Sequence, residues 1–150
     1  MTQRQPKLHK YAPGFLAAAL LAACSPTSGD GITTEESAPY DGIGADEIIT
    51  LAGTEPFWGI TIANTVATYS TPENIEGSVF EVSQFAGNNG LGFSGKLDGA
   101  DVTITVTPGE CSDNMSDRTY PFTATVVLGE DNLTGCGYTD QQPFSGDEAP

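Results

Sequence analysis

The sequence predicts an all-β fold, a small antiparallel meander that closes into an eight-stranded barrel. Three observations point there. Alternation at period two recurs, with Val102, Ile104 and Val106 set against Thr103, Thr105 and Thr107, and Phe122, Ala124, Val126 and Leu128 set against Thr123 and Thr125. Turn residues punctuate the runs at Asn64-Thr65, Gly87-Asn88-Asn89-Gly90, Asp98-Gly99 and Gly129-Glu130-Asp131, and such short links join antiparallel neighbours. About ninety residues lie between two polar ends, which is enough for one small domain. Closing the meander removes its exposed edges. A flattened two-sheet sandwich is the alternative.

The elements follow in chain order. The first strand is expected over 47–52. The second, 57–63, carries Trp58, Ile60 and Ile62 on one face. Pro56 stands at its entrance, where the missing N–H costs no ladder bond. Strands over 65–70 and 78–86 come next. In 91–97, Leu91, Phe93 and Leu97 share a face, while Gly92 and Gly95 thin the strand and permit the bending that closure needs. The last three are 101–107, 119–128 and 132–138. A barrel of eight strands is either filled by side chains or holds one small ligand, and the pattern leaves both open.

Ahead of this domain, Arg4, Lys7 and Lys10 precede an apolar run from Phe15 to Ala23, the layout of a secretory leader. A spanning helix needs about 20 apolar residues, so the run is too short to be one. Leu21-Ala22-Ala23-Cys24 looks like the lipobox of a bacterial lipoprotein. That resemblance implies a signal peptide over 1–23 and a lipid on Cys24, the first mature residue; an ordinary cleaved signal is the alternative. Ser25 after the cysteine implies sorting to the outer membrane, facing the periplasm. Residues 24–46 read as an acidic disordered tether, reaching about 25 Å as a flexible coil. Residues 139–150 read as a disordered tail.

Three of the five basic residues and the one histidine, His9, fall in the leader, whereas all twenty acidic residues follow Cys24. The mature chain therefore has Lys96 and Arg118 against twenty carboxylates. Such a field repels nucleic acid and anionic lipid, so membrane contact is expected through the acylated Cys24. It favours a basic periplasmic protein as partner, or reflects adaptation to salt; a small ligand is the other partner to consider. Without a mature histidine, Ser-His-Asp and Cys-His chemistry and the usual zinc sites are excluded, and no cofactor is expected. Cys111 and Cys136 remain as a pair in an oxidising compartment and are expected to form a disulfide. Closing a loop of roughly 25 residues stabilises by about 3.5 kcal/mol in the chain-entropy picture.

The residues with most to offer chemically are Glu55, Trp58, Asp113, Asp117, Arg118 and Tyr120, which form the candidate binding cluster. Trp58 is either a core plug or the floor of a site. Arg118 has Asp117, Asp113 and Glu55 as possible ion partners and the Trp58 face for a cation–π contact. The expectation is that Trp58 and Arg118 share one cluster at an end of the barrel. Asp113, Asn114 and Asp117 are hard oxygen ligands, but the spacing, glycine and final glutamate of a calcium loop are missing, so no metal site is expected. No residue stands out as catalytic.

Gly53-Thr54-Glu55-Pro56-Phe57-Trp58, Thr68-Tyr69-Ser70-Thr71-Pro72-Glu73, Cys111-Ser112-Asp113-Asn114-Met115-Ser116-Asp117 with Tyr120-Pro121, and Gly135-Cys136-Gly137 resemble a family of uncharacterised bacterial envelope proteins, predicted lipoproteins or membrane proteins. The resemblance covers roughly residues 47–138. It implies an envelope address and the paired cysteines, and brings no activity or catalytic residue. The functions in view are a non-enzymatic binding or structural module, an acidic inhibitor of a basic wall-degrading enzyme such as lysozyme, and, last, a carboxylate-based enzyme.

Overall fold

A computed structural model describes residues 38–147. The leader, Cys24 and most of the tether lie outside the described residues. Eight strands form a closed antiparallel barrel in simple sequence order: β1 (Ile49–Thr54), β2 (Phe57–Ala63), β3 (Val66–Thr71), β4 (Asn74–Gly87), β5 (Gly90–Leu97), β6 (Ala100–Cys111), β7 (Tyr120–Leu128) and β8 (Asp131–Thr139). The expected barrel is the fold. Its hairpins use the turn chemistry the sequence offers. Asp98 and Gly99 both take positive φ, 51° and 87°, the two-residue turn that matches strand twist.

The seam that closes the barrel is short. β1 meets β8 from Ile49–Thr139 to Ala52–Cys136, although both strands run on, β1 to Thr54 and β8 back to Asp131. Elsewhere the ladders are longer; β6 and β7 pair from Val102–Leu128 to Cys111–Tyr120 with an irregularity after Pro108.

The interior is packed. Leu51, Ile60, Ile62, Phe93, Ile104, Val106, Phe122 and Val126 are fully buried, and they are the inward set of the period-two pattern. The alternative of a hollow lumen is thereby removed, since these side chains fill the space a ligand would need. Trp58, at 4% exposure, belongs to this core. Two glycines make room for it. A Cβ on Gly53 would stand 2.1 Å from the indole Nε1, and one on Gly135 would stand 2.9 Å from indole Cζ2 and 2.1 Å from the Ala52 carbonyl oxygen. The indole thus lies against β1 and β8 just where their ladder stops.

Both ends expected to be disordered are partly structured. Ile43 is buried in the core, and the Tyr40 N–H donates to the Gly87 carbonyl at 2.7 Å, so the tether joins the domain before residue 46. The tail continues past Thr139. Asp140 and Ile48 exchange hydrogen bonds, and Ser145 pairs with Thr119. Buried Thr139 donates its hydroxyl to Glu47 and accepts the Gln142 N–H at 2.9 Å, while the Gln142 amide donates to the Gly42 carbonyl at 2.8 Å. These bonds hold Glu47 ionised, the Thr139 hydroxyl and Gly44 N–H pulling its pKa down. The two flanks of the barrel clasp one another below the seam. Short polar side chains that find fixed partners do what an apolar pattern would otherwise signal.

Candidate functional site

Cys111 and Cys136 form the expected disulfide, with Cα atoms 5.5 Å apart. Its position follows from register. Cys136 pairs with exposed Thr123 on one side and exposed Ala52 on the other, so it points outward from the barrel wall. The bridge therefore draws the end of β6 over the outside of the barrel. There Cys111 Sγ touches the Gly135 carbonyl oxygen at 3.5 Å, and the Thr54 hydroxyl reaches the Asp113 carbonyl at 3.5 Å.

Asp113 organises this connection. Its carboxylate accepts the N–H groups of Met115 at 3.0 Å and Ser116 at 2.9 Å, the Ser116 hydroxyl, and the Tyr120 hydroxyl at 3.1 Å. These donors, the Met115 N–H foremost, hold the carboxyl at about 2, well below the ordinary carboxylate range. Asp113 is thus an ionised anchor near neutral pH. Its oxygens, considered above as calcium ligands, are occupied by the loop itself. Asn114 takes a positive φ of 58°, a conformation that Asn tolerates better than most residues.

Between this loop and the wall lies a cleft of about 330 Å³. Its floor is Ala52, Gly53 and Gly135; its sides are the disulfide, Ser112, Asp113, Asn114 and the threonines 54, 123, 125 and 134. Thr123, Thr125 and Thr134 are the outward partners of the alternation that fills the core. The cleft offers hydroxyls and one side-chain amide. Behind its floor, the buried Trp58 Nε1–H has no hydrogen-bond partner among the described residues.

The candidate cluster is only partly assembled. Asp113, Arg118 and Tyr120 come together. The Arg118 guanidinium lies over the Phe144 ring at 4.3 Å and hydrogen-bonds Tyr120. Burial raises the Tyr120 phenol pKa, while Arg118 lowers it. Phe144 packs edge-on against Tyr138, centroids 5.1 Å apart, and 5.4 Å from Tyr120. Of the contacts open to Arg118, the arginine takes the tail aromatic Phe144 for its cation–π contact, while the Trp58 indole lies against Gly53 and Gly135. Asp117 contributes its carbonyl region beneath Gly146. Glu55 lies in a separate groove with Phe57 and Glu73. Sequence reasoning missed Phe144 and the threonine face. Phe144 carried no signal beyond being an aromatic in a polar tail; the threonines were visible as the outward half of the alternation.

The chain matches no protein-family model, no curated protein and no solved structure.

Proposed function

We propose that this protein is a lipoprotein of the bacterial envelope, anchored by acylated Cys24 on the outer membrane facing the periplasm, whose barrel is a non-enzymatic binding module. The observation that carries the reading is the place of the cleft: the interior is filled, and the polar cavity lies outside, built by the disulfide-pinned loop against four threonines. Hydroxyls and the Asn114 amide, with ionised Asp113 turned to its own loop, suit a neutral polar ligand held by hydrogen bonds. Asp113, held at about 2 by its loop donors, is not poised as a general acid or base near neutrality. The leader and lipobox resemblance supply the address, and three-chain acylation would anchor firmly at about 0.8 kcal/mol per buried CH₂.

Two experiments test this. Cys24→Ser abolishes acyl-labelling and releases the protein from the detergent-extracted membrane fraction; unchanged labelling contradicts the anchor. Thr134→Trp fills the cleft from an exposed position. Immobilised, non-lipidated chain retains an envelope component that the Thr134→Trp chain does not; equal retention by both removes the cleft as the site.

A further inference from the structure

The segments Glu55-Pro56-Phe57 and Pro72-Glu73, separated by the β2–β3 hairpin, meet in one groove of about 510 Å³ between the β1–β2 and β3–β4 turns. Its surface is mostly apolar, with Pro56, Phe57 and Pro72 in the lining, and Glu55 and Glu73 line it as well. Phe57 is 53% exposed. The alternation explains why: Trp58 takes the inward position, so its neighbour faces solvent. An exposed phenyl ring that shares a groove with two glutamates is chemistry for a cation, which gains from the ring quadrupole and from both charges. The barrel's own cations are engaged elsewhere. Lys96 pairs with Asp101 at 2.6 Å, and Arg118 lies on Phe144. We infer that this groove receives a lysine or arginine side chain of a basic partner protein, the acidity of the mature chain steering the encounter. The inference is independent of the outer cleft, with which the groove shares Thr54 alone.

The test uses the Cys24→Ser chain and a labelled hexa-arginine peptide, titrated at physiological ionic strength. Phe57→Ala and Phe57→Leu should each weaken binding about fivefold, because both remove the ring face while Leu keeps apolar bulk. Glu55→Gln with Glu73→Gln should weaken it by about tenfold, whereas the equally charged pair Glu76→Gln with Glu130→Gln should change it less than about twofold. Thr134→Trp should leave it unchanged. Equal losses from the two carboxylate pairs, with no effect of either Phe57 variant, would show a diffuse field and overturn the groove. Loss on Thr134→Trp, or no binding by the parent chain, would overturn it as well. Circular dichroism of the variants confirms that the exposed substitutions leave the barrel folded.

Discussion

The Tyr120 hydroxyl donates to a carboxylate oxygen of Asp113, 3.1 Å away, tying the first residue of β7 to the loop that precedes it. The same carboxylate already accepts two backbone N–H groups and the Ser116 hydroxyl. One side chain thus fixes the loop whose other end is fixed by the disulfide, and the cleft keeps its shape because both ends are held.

Removing that carboxylate should be costly. Asp113→Ala strands the Ser116 and Tyr120 hydroxyls and two N–H groups, and should lower stability by about 1–3 kcal/mol. Urea unfolding measures it. Tyr120→Phe, which deletes one of the donors, should cost less, about 1 kcal/mol.

The pH dependence has a definite sign. The folded pKa of Asp113 is depressed to about 2 from an ordinary 3.8, so its contribution is fully present above the unfolded value and is lost as pH falls from about 4 toward 2. Glu47, also depressed by its bonds to Thr139 and Gly44, acts in the same direction. The unfolding midpoint should fall with pH across this window, and Asp113→Asn should flatten the fall. A midpoint that rises on acidification contradicts the assignment.

The disulfide should matter for stability and for the cleft. Replacing both Cys111 and Cys136 by serine should lower stability by about 3.5 kcal/mol in the chain-entropy picture. Peptide mapping without reductant should recover the two cysteines as one linked pair; free thiols at both would contradict the structure.

The glycines under Trp58 make a sharper test of packing. Gly135→Ala drives a Cβ to 2.1 Å from the Ala52 backbone carbonyl, and neither strand can move away cheaply. It should destabilise by about 1–3 kcal/mol and alter Trp58 fluorescence. Gly109→Ala meets nothing within 4 Å and should stay within about 0.5 kcal/mol. Arg118→Ala, which removes a contact to Phe144 and not to the indole, should leave Trp58 fluorescence near its parent value.

How much of this was legible follows from what each residue does. β6 and β7 bury alternate side chains against one core, so Val102 to Val106 and Phe122 to Val126 announced themselves. The cysteine pair was legible because the lipobox resemblance assigns the third cysteine to the lipid. The start of β4 was not, because Asn74 to Glu76 are exposed, Ile75 at 81%, where no core imposes a pattern. The end of β6 was hidden by Pro108 and Gly109, beyond which the strand is irregular. Ile43, Tyr40 and Phe144 are single apolar residues in polar stretches; each is ordered by a partner distant in sequence, which periodicity cannot register. That Arg118 stacks on Phe144 was not legible among the contacts open to it, and the indole's neighbours Gly53 and Gly135 have no side chains to signal their role.

Hydrogen exchange, read by mass spectrometry on the chain alone and with its retained envelope component, tests most directly that the outer wall is the working surface. Added protection should appear at Cys111–Asn114, Thr123–Thr125 and Thr134–Cys136, the segments that enclose the cleft. Protection that leaves all three unchanged while the component remains bound would contradict the assignment of the cleft as the binding site.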